Sequence, residues 1–369
     1  MANKYSFDIG TPHAIGLGAG LASALLFCLA GQGTFASMML AYLSPLPLMI
    51  ATLGFGVSTG LVAVVTGALC VTSLVGLASI APSDLKEAAE LSRQTLAGAA
   101  KTGLIYLISL GVPAFCLGLL GQSGKSASSV SPAPNGSPAK SWLAFGGPSR
   151  PLAGILTFAL FASCLLVTAG SLWIWARQGG FKATLDKTVA EILPLIMQLN
   201  TNGLHWPASL TESDIARMIV LAVGPAMAAS TLLMFLLNLW LAGRVVQVSG
   251  RLPRAWPDIP RSFRLPWIFV PVFIGACAVS VLGGPAGFIG LIFSVTTGLG
   301  FALQGLAAIH DLTRGTSFRV PLLIIVYLVF VLLMPWPLTL FGLADAIFPL
   351  GKRREALSIG KASSVKTNP

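Results

Sequence analysis

The sequence predicts an all-α, polytopic transmembrane helical bundle of eight or nine spans, with two interfacial amphipathic helices. Three observations carry this. Only 9% of the 369 residues are charged, against about 25% in soluble chains. Apolar runs recur along the chain, near the roughly 20 residues that a hydrocarbon core of about 30 Å demands. The runs are continuous rather than alternating, which argues against a porin-like barrel. Residues 1–350 read as a single integral membrane domain, with 121–150 a flexible Ser/Pro/Gly loop and 351–369 a polar basic tail.

Taken in order, the first span is expected over Ala14–Leu40, where Gly16, Gly18 and Gly20 let another helix approach. The SPLP segment Ser44–Pro47 breaks and restarts the helix. Leu46–Ile80 reads as two short helices joined within Gly60–Gly67, with one tilted helix as the alternative. Its glycines fit close helix contacts better than a substrate cavity. Ser83–Ala100 reads as an interfacial amphipathic helix capped by Ser83, ahead of a span over Thr102–Leu120 kinked near Pro113. A span over Leu152–Trp175 ends on interfacial Trp173 and Trp175.

Phe181, Leu185, Val189, Leu193 and Ile196 recur at helical spacing and predict a second interfacial helix, disturbed at Pro194. Thr211–Asp214 offers caps for a long helix over Ile215–Val248, kinked at Pro225. Ser249–Phe263 is a basic loop, and spans follow over Trp267–Leu282, Phe288–His310 and Val320–Leu340. Gly283-Gly284-Pro285 makes a tight turn between the first two of these. The segment after Leu340 carries Asp345 and the basic cluster Lys352–Arg354.

The net charge of +11 sits in loops and tail, where it sets topology and meets anionic headgroups. No basic run interleaves with aromatics, so no nucleic-acid partner is expected. Alternate loops carry nearly balanced Lys and Arg, and the Lys352–Arg354 cluster tilts the tail toward the cytoplasm. Cys28, Cys70, Cys116, Cys164 and Cys277 all lie in apolar runs and read as buried hydrophobes, not as a disulfide framework or a metal site.

The chain has no HExxH, GxSxG or Walker loop, and GAAKTG at Gly98–Gly103 lacks the phosphate-loop spacing. No enzyme activity, cofactor or metal is therefore expected. The candidate ligand-binding residues are Gln304, Asn238, His310 and Asp311. Gln304 lies within an apolar span, where a polar side chain is costly unless it faces protein or a cavity. Asp311 follows seven residues on, two turns along the same face, with His310 about 100° round. Gln and Asn are also common interhelical hydrogen-bonding groups. His205 sits in the polar turn NTNGLHWP without clustered ligands.

Four segments, SPLPLMIATLGFG, NLWLAGRVV with SFRLPW, LGFALQGLAAIHDL and FGLADAIFPLGKRR, occur in an order that resembles the YybS-like bacterial membrane proteins of unknown function. That family is similar in fold to the S components of energy-coupling-factor vitamin transporters. The resemblance implies an all-helical bundle in a bacterial inner membrane and supplies no site residues. The loop at 121–150 and the larger span count depart from it. The function expected first is transporter-like binding of a small solute in the lipid bilayer, in a cavity between Leu46–Ile80 and Phe288–His310. The alternative is a non-transporting scaffold or assembly factor that recruits a protein partner.

Overall fold

The computed structural model describes residues 11–79, 88–122, 151–201, 207, 209–252, 257–332 and 336–348. Among these the regular structure is helical, with no strand. Among the described residues seven helical segments are long and apolar enough to cross a membrane: 12–32, 35–55, 57–77, 96–122, 152–177, 212–248 and 284–312. Two compact units are formed, one by Met1–Ala159 with Leu233–Pro257, the other by Leu160–Leu232 with Asp258–Pro369.

In the first unit, α1 (Thr11–Cys28) ends in a 3₁₀ turn, Leu29–Gln32, closed by Gly33 at φ 66°. The Thr34 hydroxyl accepts the Ser37 N–H at 3.1 Å and the Ser37 hydroxyl accepts the Thr34 N–H at 3.1 Å. This reciprocal cap starts α2 (Phe35–Ala41). The expected single helix over Ala14–Leu40 is thus two helices. Gly33 supplies the left-handed residue, and Thr34 then offers a better start than a continuation. A turn at Tyr42–Ser44 leads to α3 (Pro45–Phe55), with Pro45 at its first position, where its missing N–H costs nothing.

The break in the next apolar run falls at Gly56 (φ 101°), before α4 (Val57–Ser79), not within Gly60–Gly67. Gly60 and Gly67 stay helical and serve close contacts. A Cβ on Gly67 would lie 2.5 Å from Tyr106 Oη, and one on Gly60 would meet Phe115 at 3.0 Å. Gly16 and Gly20 likewise let α1 approach α4, at Thr59 O and Gly67 N, whereas Gly18 faces open space. The expectation of close glycine contacts therefore holds for the residues four apart and fails for the one between.

The last helix of this run is α5 (Ala88–Tyr106), a π turn at Leu107–Gly111, and α6 (Val112–Gln122). Pro113 cannot donate and its ring crowds the carbonyl four residues back. The π turn just before it absorbs that conflict. Ser83 and Asp84 lie outside the described residues, as does the loop 123–150. From Ala88 the helix runs unbroken into the span, so this part of the expected interfacial helix is the span's own extension.

The second unit takes α7 (Pro151–Arg177) from Leu160 and α9 (Glu212–Val248) as far as Leu232. In it α7 ends near α8 (Phe181–Thr201), with the Trp175 ring 5.0 Å from Phe181 and 5.5 Å from Phe288. The expected apolar stripe of α8 is present. Leu185 and Ile196 are buried, while Lys187 and Glu191 pair at 4.0 Å in solvent. The next helix, α9 (Glu212–Val248), begins with the expected cap: the Thr211 hydroxyl accepts the Asp214 N–H, and Asp214 accepts the Thr211 N–H at 3.0 Å. Pro225 lies inside it. His205 and Arg254 are outside the described residues.

The C-terminal part departs most from expectation. After the short α10 (Ile259–Ser262), the run over Trp267–Leu282 forms α11 (Phe269–Ser280) of only 12 residues. At 1.5 Å per residue that is about 18 Å, short of a ~30 Å core. Gly283 (φ 67°) and Gly284 (φ 60°) make the expected tight turn into α12 (Gly284–Leu312). Gly290 lets α12 lie against the Ser280 backbone, where a Cβ would come within 2.5 Å of Ser280 N. Of the expected last span, Val320–Leu340, the described residues are helical in α13 (Arg319–Leu332) and α14 (Trp336–Ile347), and 333–335 lie outside them.

Candidate functional site

α12 and α14 touch backbone to backbone. A Cβ on Gly305 would meet Gly342 N at 2.9 Å and collide with Leu338 O, and a Cβ on Gly342 would collide with Phe301 O. The Thr339 hydroxyl donates to Gly298 O at 3.1 Å. Small residues on both helices create this approach, as in membrane helix pairs generally. It brings Asp345 beside Gln304 with no space for lipid between them.

Gln304 is 1% exposed. Its Nε2 donates to Asp345 Oδ2 at 3.0 Å, and its Oε1 accepts the Leu265 N–H at 2.9 Å. The Leu265 donor is a backbone group left over where α10 gives way to extended chain, so Gln304 satisfies it as a helix would have done. Asp345 is 3% exposed, and the Arg264 guanidinium stands 3.9 Å from its Oδ1. Burying a carboxylate costs several kcal/mol, whereas one hydrogen bond to a charged group returns about 1.5–3 kcal/mol. Gln304 therefore does not offset the burial by itself, and the Arg264 guanidinium adds an opposite charge 3.9 Å away.

A small cleft opens here, lined by Pro260, Phe263, Arg264, Ala308, Asp311 and Asp345, with ≈ 10 Å³ of free volume. That is about the room one water needs. The cleft therefore connects the buried Asp345 to Asp311 at the end of α12 without holding a larger solute in this conformation.

Around its mouth the carboxylates and arginines alternate. Arg314 binds Asp258 through two bonds of 2.6 Å and lies 3.5 Å from Asp311. Arg261 donates to Asp311 at 3.1 Å and reaches Asp258 at 3.9 Å. The Arg314 bonds hold the Asp258 carboxyl below its ordinary value, and Asp258 in turn raises Arg314. This network ties the segment bearing α10 and Arg264 across the end of α12. His310 turns away to Tyr327, with Nε2 3.1 Å from its hydroxyl.

Gln304 and Asp311 thus fall on one polar stripe as the seven-residue spacing anticipates, with His310 off to the side. Asn238 belongs to the other unit, where its Nδ2 donates to Tyr42 O at 2.8 Å and to Met234 O at 2.7 Å. Sequence reasoning missed the roles of Asp345 and Arg264. The available signal was an acidic residue in the otherwise apolar FGLADAIF, three residues after Gly342.

The family model DUF2232, described as a predicted membrane protein, matches residues 93–346. No curated protein and no solved structure matches the chain.

Proposed function

The chain belongs to the DUF2232 family of predicted membrane proteins, and from that premise we propose that it is a non-enzymatic, transporter-like component that binds a small solute at the Gln304–Asp345–Arg264 cluster. The observation that carries the reading is the carboxylate of Asp345, 3% exposed on an apolar helix and held by a buried glutamine and a half-buried arginine. Ionisable groups are costly within a membrane and mark solute or ion paths when they occur there.

The water-sized cleft is the closed form of the site. Opening requires the Asp258–Leu265 segment to lift from the end of α12, which carries Arg264 away from Asp345. The half-length helices α11, α13 and α14 lie within the bilayer and bring the bundle to eight or nine passes, as broken helices do around transporter sites. The polar face of α8 lies along the headgroups. The motif order shared with the YybS-like proteins supports a bacterial inner membrane location and names no cargo.

A thermal-shift screen of small solutes on detergent-purified protein tests the reading. A solute of this site raises the Tm of the parent and not of Asp345→Asn, which keeps an acceptor for Gln304. A solute that stabilises both equally removes the assignment.

A further inference from the structure

Two buried polar atoms flank the three-residue turn Tyr42–Ser44 between α2 and α3, and neither has a hydrogen-bond partner: Ser44 Oγ and Asn238 Oδ1. Both residues are 0% exposed. Such orphans are rare, because an unpaired buried polar group costs about 1–3 kcal/mol.

The chemistry of the two atoms is constrained. The Asn238 amide nitrogen gives its protons to Tyr42 O and Met234 O. The amide cannot be turned over without setting oxygen against two carbonyls, so Oδ1 is fixed as an acceptor. Ser44 is unlike the helical threonines of this unit. Thr52, Thr59 and Thr72 each donate to the carbonyl four residues back. Ser44 sits in the turn, where the corresponding Leu40 carbonyl already takes the Leu43 N–H at 3.0 Å.

The turn is held open from both sides. Asn238 holds the Tyr42 carbonyl, and the Ser23 hydroxyl donates to the Ser44 carbonyl at 2.6 Å. Ser23 has spent its proton there, so Tyr106, whose hydroxyl is 2.6 Å from Ser23 Oγ, donates to it. Three side chains, Asn238, Ser23 and Tyr106, thus support an interrupted helix beside which two oxygens, Ser44 Oγ and Asn238 Oδ1, have no partner. Asp and Glu are absent from 11–55 and 233–248, the segments that supply the turn, Ser23 and Asn238. A divalent ion would call for carboxylates, whereas neutral oxygens at an unwound helix suit a monovalent cation.

We propose that the Tyr42–Ser44 turn, with Asn238 Oδ1 and Ser44 Oγ, is a binding site for a small monovalent cation, with Na⁺ the probe. It lies wholly in the first unit and stands whether or not the Asp345 cluster binds a solute.

The test is thermal unfolding of the purified full chain in NaCl against choline chloride at equal ionic strength, for the parent, Ser44→Ala and Asn238→Leu. Na⁺ is expected to raise the parent Tm saturably, by roughly 3 °C at ten times its dissociation constant. Ser44→Ala loses most of that rise while remaining at least as stable as the parent in choline, because it deletes an orphan. Equal Tm values for the parent in the two salts overturn the proposal, and so does a Ser44→Ala variant that keeps the full rise. Asn238→Leu also removes donors, so its folding in choline is the control. If it folds and still responds to Na⁺ as the parent does, the site is wrongly placed.

Discussion

Gln304 Nε2 lies 3.0 Å from Asp345 Oδ2 while its Oε1 takes the Leu265 N–H, so one side chain serves a buried carboxylate and a buried backbone donor together. Gln304→Leu leaves the Leu265 N–H without its acceptor and takes one hydrogen bond from Asp345, which keeps Arg264 at 3.9 Å. An unsatisfied buried group costs about 1–3 kcal/mol, so we expect a loss of roughly 2 kcal/mol. Chemical unfolding in detergent checks this, and a loss below about 1 kcal/mol contradicts the geometry.

The Asp345–Arg264 pair is asymmetric, with side-chain exposures of 2% and 30%. Arg264→Gln removes the cation 3.9 Å from a buried carboxylate that keeps its bond to Gln304, and should cost about 2 kcal/mol, less than the roughly 3–5 of a fully broken buried pair. Asp345→Asn strands an arginine that reaches water and keeps the bond to Gln304, and should cost under about 1 kcal/mol. Paired unfolding curves give the order, and the reverse order refutes the charge assignment.

Gly305→Ala and Gly342→Ala each drive a methyl group into the facing backbone of α12 or α14. Overpacking of this kind costs about 1–3 kcal/mol, and here it also separates Gln304 from Asp345. Gly154→Ala and Gly170→Ala meet nothing within 4 Å, and alanine is the better helix former. Melting of the four variants should show two lowered and two unchanged or raised.

The Asp258–Arg314 clamp has a defined pH response. Asp258 ordinarily titrates at 3.8 and is held lower in the folded chain by Arg314. A depressed carboxyl contributes stability above its unfolded value and loses it as pH falls through the folded value. The clamp is therefore intact from neutral pH down to about 4 and releases below that. Its half-exposed setting limits it to about 0.5 kcal/mol. The difference in Tm between the parent and Asp258→Asn should be constant from pH 7 to pH 5 and shrink only in stronger acid.

Much of this architecture is readable from residue pattern. Helix class, the Thr211–Asp214 cap, the Gly283–Gly284 turn, the α8 stripe and the polar stripe through Gln304 all follow from local rules. Short-range competition decided the misplaced breaks. A run of glycines does not say which one takes positive φ, so the break fell at Gly56 and not within Gly60–Gly67. Pro335 and Pro337 do not say that the residues from Trp336 form a helix, α14, packed backbone to backbone on α12, and that packing is what buries Asp345. A partner 41 residues from Gln304 is fixed by tertiary contact, which no periodicity carries.

Native mass spectrometry of the purified chain in mild detergent, parent beside Asp345→Asn and Gly154→Ala, decides whether the Asp345 cluster binds a solute. If it does, a reproducible small-molecule adduct appears on the parent and on Gly154→Ala, at least tenfold reduced on Asp345→Asn. An adduct equally abundant on all three, or a parent that carries none in any preparation and from any added solute pool, contradicts that binding.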